Sequence, residues 1–241
     1  MVDITSSERR RAAPIAILLI GLIPALMVVS AAVLAVQSGL GLTPLPYPLF
    51  VVLQKLPFIF PLHMIAAGCA LLLIPAAFLA RRHRNLHRAL GRLAAACVLV
   101  GGVTALLVAA ASEAGLAARA GFFVQGLVWI ALLVAAITAI RSGNRALHAR
   151  LMIAMACVAS GALWLRLVMT AAVALGWPFD TVYAVAAWAC WLVPLAIAGF
   201  FARTISAPHP EEPRVARRLE GCRPLSLRHG SASASPFETH R

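Results

Sequence analysis

Six long apolar runs, at about residues 12–36, 57–80, 91–111, 121–140, 151–174 and 181–202, constrain this chain more than any other feature. Each holds about 20 residues or more, and at about 1.5 Å of rise per residue each covers a hydrocarbon layer of roughly 30 Å. Backbone amides in lipid have no water to bond, so a spanning segment must satisfy them internally. At this length it does so as a helix, because barrel strands need only about ten residues. The expected fold is all-α, a polytopic bundle of six transmembrane helices over residues 12–202, preceded by a short segment at 1–11. Residues 203–241 carry Pro208, Pro210, Pro213, Pro224 and Pro236 among Arg, Glu, Ser and Gly, and read as a disordered tail. The connection at 37–56, with Gly39, Gly41, Pro44, Pro46 and Pro48, reads as too broken for a helix interior.

A net charge of +13 raises the question of nucleic acid, and the placement of the charges answers it. Arg9, Arg10 and Arg11 precede the first run, Arg81, Arg82, Arg84, Arg88 and Arg92 surround the turn after the second, and Arg141, Arg145 and Arg150 surround the turn after the fourth. The alternate connections hold Lys55 and Arg119 beside Glu113 and Asp180. That alternation follows the positive-inside rule and puts both termini in the cytoplasm. The implied partners are membrane lipids, not nucleic acid. The first run is too long for the apolar part of a cleaved signal and reads as an anchor. Cys69, Cys97, Cys157, Cys190 and Cys222 form no C-x-x-C pair, so neither a zinc site nor a disulfide framework is indicated. Arginine outnumbers lysine twenty to one in an alanine-rich chain, which points to a GC-rich bacterial genome and so, with six spans, to a multi-pass protein of the inner membrane.

Counting depth along each run gathers scattered polar residues into layers. His63 lies six residues into the second run, about 9 Å below its outer boundary, and Gln125 in the fourth lies at a similar depth. Arg166, fifteen residues up the fifth run, is about 22 Å from the cytoplasmic boundary and so in the outer third, with Thr104 near the same level. An arginine at that depth faces the bundle or reaches back to the surface. The layer therefore reads as a polar pocket for a small-molecule ligand, made by His63, Gln125 and Arg166, with Arg166 snorkelling to lipid headgroups or pairing internally with Glu113 or Asp180 as the competing account.

The opposite layer holds a sequence echo. Arg84-Asn85-Leu86-His87-Arg88-Ala89-Leu90 returns as Arg145-Ala146-Leu147-His148-Ala149-Arg150-Leu151, with His87 and His148 at the starts of two returning runs. The echo suggests a duplicated helical hairpin. Histidines from different helices commonly hold haem in membrane bundles, so His87 and His148 are candidate axial ligands for haem b. Between the two layers no ionisable side chain occurs, which argues against an ion-coupled pump.

The motifs Leu62-His63, His87-Arg88-Ala89-Leu90-Gly91-Arg92, Gly121-Phe122, Trp129, His148-Ala149-Arg150-Leu151-Met152-Ile153, Arg166 and Trp188-Ala189-Cys190-Trp191-Leu192-Val193-Pro194 occur in an order that resembles a bacterial family of predicted membrane proteins, domain of unknown function 2306. The likeness covers about residues 55–200 and departs from the usual pattern at Ala149-Arg150. It implies membrane residence and carries no established activity. No paired carboxylate, H-E-x-x-H or nucleophile elbow is present. The expectation is a non-enzymatic binding, transport or assembly protein, with a haem-binding redox protein as the alternative.

Overall fold

Long apolar segments separated by short polar turns leave the chain little choice but antiparallel helices, and the described residues form seven α-helices. The computed structural model describes residues 4–205, with side chains described for 21–201. The helices are α1 (Ile4–Gly39), α2 (Tyr47–Lys55), α3 (Ile59–Leu79), α4 (Arg84–Ala111), α5 (Leu116–Arg141), α6 (Arg145–Ala174) and α7 (Phe179–Ile205). All except α2 are long and apolar enough to cross a membrane, over Gly21–Gly39, Ile59–Arg82, Arg84–Ala111, Leu116–Arg141, Arg145–Ala174 and Phe179–Phe201. No strand occurs among the described residues. The expected tail lies outside them, apart from the last turn of α7.

The connection read as too broken for a helix contains one. α2 starts at the end of that segment's proline series, with Pro46 as its cap and Pro48 in its first turn. The first turn of a helix has no acceptor for its N–H groups, so a proline there forfeits nothing. The Pro46 carbonyl takes the N–H groups of Leu49 and Phe50 at 2.9 and 3.0 Å, which starts the helix.

Helices α3, α4, α5 and α6 form a ring, each packed on the next, with α6 returning to α3. α1 lies against α3 and also touches α6. α7 lies along α5 and α6. The Trp188 indole donates to the Ala117 carbonyl on α5 at 2.9 Å, and the backbone of Trp191 abuts Gly161 on α6. The core is built from Ala70, Ile74, Val98, Trp129, Leu133, Met155, Val158 and Trp191, with alanines between them. Close approach of backbones explains the small residues. At Gly68 a methyl group would stand 2.9 Å from the Ala32 carbonyl of α1, so only glycine lets α1 and α3 meet there.

The two basic turns are made differently. Between α3 and α4 a single 3-10 turn, Ala80–Arg82, is followed by the extended residue His83. Between α5 and α6 the Asn144 side chain accepts the Leu147 N–H at 2.9 Å and caps α6. These turns define the basic end of the bundle.

Candidate functional site

The histidines of the echo do the same work in both hairpins. The His87 Nδ1–H donates to the Ala77 carbonyl in the last turns of α3 at 2.8 Å, and the His148 Nδ1–H donates to the Ala136 carbonyl of α5 at 2.9 Å. Each ring therefore ties a returning helix to the helix before it, next to the turn that joins them. α4 and α6 do not pack on each other, and α5 borders both, so the two ties belong to separate hairpins.

A second tie closes each hairpin further from the turn. The His63 Nδ1–H donates to the Gly101 carbonyl at 3.0 Å, from α3 to α4. Thr104 Oγ1 is 3.3 Å from the same nitrogen and donates its own hydrogen to the Val100 carbonyl at 2.7 Å. Thr104 is the one buried polar residue of the described core, and this network accounts for its burial. In the second hairpin the Gln125 amide donates to the Val158 carbonyl at 3.1 Å, from α5 to α6. Gly161 makes room for it, since a methyl group there would fall 2.8 Å from Gln125 Nε2. Matching the hairpins by their inner ties, Ala77 to Ala136 and His87 to His148, puts Gln125 and its acceptor one helical turn nearer the basic end than His63 and Gly101.

Arg166 stands apart from both. Its guanidinium donates to the Ala162 carbonyl of its own helix at 3.0 Å. Neither expected carboxylate meets it: Glu113 pairs with Lys55 at 3.0 Å, the one ion pair among the described residues. The bond to Ala162 turns the side chain toward the start of α6, the basic end, as helical side chains lean. Arg166 is thus not reaching for the far surface.

What Arg166 faces is a crevice of about 480 Å³ between α1 and α6. From α1 come Met27, Ser30, Ala31 and Leu34, and from α6 Leu163, Arg166, Leu167, Thr170, Ala171 and Ala174, each set at the spacing of one helix face. At Ala31, Ala32 and Leu71 the two helices close together over α3, with Leu163 packed beside them. Among the described residues Arg166 is the only charged group of the lining, and it uses one of its five N–H donors on them.

The structure therefore brings His63 together with Thr104, gives Gln125 its own partner on α6, and puts Arg166 on a third seam. His63 and Gln125 do not line the Arg166 crevice. The contribution of α1, through Met27, Ser30 and Leu34, was missed by sequence reasoning. Its signal is the i, i+3, i+7 spacing, which every lipid-facing helix shares. One buried polar atom has no partner among the described residues: the indole Nε1 of Trp129, a residue 8% exposed in the core. No group of three or more metal-ligating side chains occurs among them.

No curated protein and no solved structure matches the chain. A family model does, over residues 60–202, which takes in α3 to α7, every tie and Arg166, and leaves out α1 and α2. The chain is an α-helical membrane protein and belongs to the family of predicted membrane proteins designated DUF2306.

Proposed function

We propose that the chain is a non-enzymatic binding protein of a bacterial inner membrane. It takes an anionic amphiphile into the crevice between α1 and α6, with the acidic head against Arg166 and the apolar part along Leu34, Leu167 and Ala171. The observation that carries this reading is the guanidinium itself: a permanent charge within a mostly apolar lining, holding one backbone bond and no carboxylate among the described residues. A charge in that setting costs a few kcal/mol unless an anion or water meets it. Thr170, one turn beyond Arg166, adds a hydroxyl for the same head. By the positive-inside rule the basic end faces the cytoplasm, so the crevice lies toward the outer leaflet and is entered sideways from lipid.

Binding of a long-chain fatty acid and of its methyl ester to the purified protein tests this. The acid should bind on the order of tenfold to a hundredfold tighter than the ester, the worth of a hydrogen bond to a charged group, and Arg166→Gln should remove the preference. Equal binding of acid and ester would sink the reading.

A further inference from the structure

Arg84, Arg88 and Arg92 succeed one another at steps of four residues on α4, each about 6 Å further along one face. All three are exposed, and none of their guanidinium groups has a hydrogen bond or ion pair with another described residue. The face continues through Ala96, Leu99, Val103 and Leu107, which are exposed too, so no described helix covers it. It is cationic for its first two turns and apolar from there on.

The dimensions suit a lipid. α4 has 28 residues, about 42 Å of helix, which exceeds a hydrocarbon layer of roughly 30 Å by about 12 Å. Arg84 to Arg92 spans about that same 12 Å. With the apolar part of α4 in the hydrocarbon, the three arginines cross the headgroup layer. Threading alone does not call for this arrangement, because positive charge near the span ends is sufficient. The second hairpin has such charge in Arg141, Arg145 and Arg150, yet the positions that match Arg88 and Arg92 in the echo are Ala149 and Ile153.

We infer that this face of α4 is a binding site for an anionic phospholipid. Arg84, Arg88 and Arg92 hold its phosphate, and its acyl chains lie along Ala96, Leu99, Val103 and Leu107. The site is independent of the Arg166 crevice, at the basic end and on a different helix.

The test is the full chain in zwitterionic micelles, with phosphatidylglycerol or phosphatidylcholine added and bound lipid counted by native mass spectrometry beside the unfolding temperature. Phosphatidylglycerol should bind on the order of a hundredfold tighter, about fivefold for each arginine. Arg84→Gln/Arg88→Gln/Arg92→Gln should abolish that preference, while Arg141→Gln/Arg145→Gln and Arg166→Gln keep it. Should the triple variant not fold, Arg92→Gln alone should weaken phosphatidylglycerol about fivefold. Equal losses in the two arginine sets would reduce the effect to general surface charge and overturn the assignment. So would inorganic phosphate raising the unfolding temperature as much as the lipid does, or a lipid-free dimer cross-linked through this face.

Discussion

Trp129 and Trp191 share one core and are almost equally buried, at 8% and 3% exposure, but their indole N–H groups fare differently. Trp191 donates to the Ala187 carbonyl at 2.9 Å, whereas Trp129 Nε1 has no acceptor among the described residues. Replacement by phenylalanine removes a similar volume at both sites, so the difference between the two variants isolates the hydrogen bond. A buried, unmet donor is worth about 1–3 kcal/mol, and a made bond about 1 kcal/mol. Trp191→Phe is thus expected to destabilise the protein by at least about 1 kcal/mol more than Trp129→Phe in denaturant unfolding. If the order reverses, Trp129 holds an acceptor such as an internal water, and the centre of the bundle is wetter than its lining residues suggest.

At the scale of the helical element, the unit of construction is a hairpin closed twice, by histidine beside the turn and by His63 or Gln125 further away. Side-chain hydrogen bonds between membrane helices contribute about 0.6 kcal/mol on average and about 1.7 at most. His87→Leu and His148→Leu should each lower stability by an amount in that range. Because the two ties lie in separate hairpins, the double variant should match the sum of the singles within about 0.5 kcal/mol. A marked excess in thermal or denaturant unfolding would mean that the rings meet in a shared site, as a common ligand would require. The sequence shows where these elements run, because apolar length and charged turns are local properties. It also gives the levels of His63, Thr104, Gln125 and Arg166, since depth is a count of residues. It does not give azimuth: which neighbour a side chain meets depends on how the helices are arranged around the bundle. For that reason one expected pocket resolves into two ties and a crevice. α1, packed on α3, also reaches the neighbouring α6, and nothing in the order of the helices announces that contact. The helix in the proline-rich connection was illegible for another reason, because the same residues that break a helix interior also begin one.

For the whole molecule, the charges decide how the bundle is threaded. Arg81, Arg82, Arg84, Arg88 and Arg92 gather at the turn between α3 and α4, and Arg141, Arg145 and Arg150 at the turn between α5 and α6. The opposite end holds Lys55 and Arg119. Lys55 is bound to Glu113, and Arg119 donates to the Ala109 and Ala110 carbonyls at 3.4 and 2.6 Å, which leaves little free positive charge on that side. Short connections such as these are the ones the positive-inside rule governs. Fusions of an enzyme active only in the cytoplasm, placed after residue 90 and after residue 115, should therefore report opposite sides, with activity at 90 alone. Replacing Arg81, Arg82, Arg84 and Arg88 by glutamine should weaken that bias, and reporter activity should then appear at both positions as misthreaded chains accumulate. Activity confined to the fusion at 115 would invert the bundle, set the Arg166 crevice toward the inner leaflet, and leave the α4 arginines facing the leaflet with less anionic lipid. Orientation thus fixes which lipids each of the two proposed sites can meet.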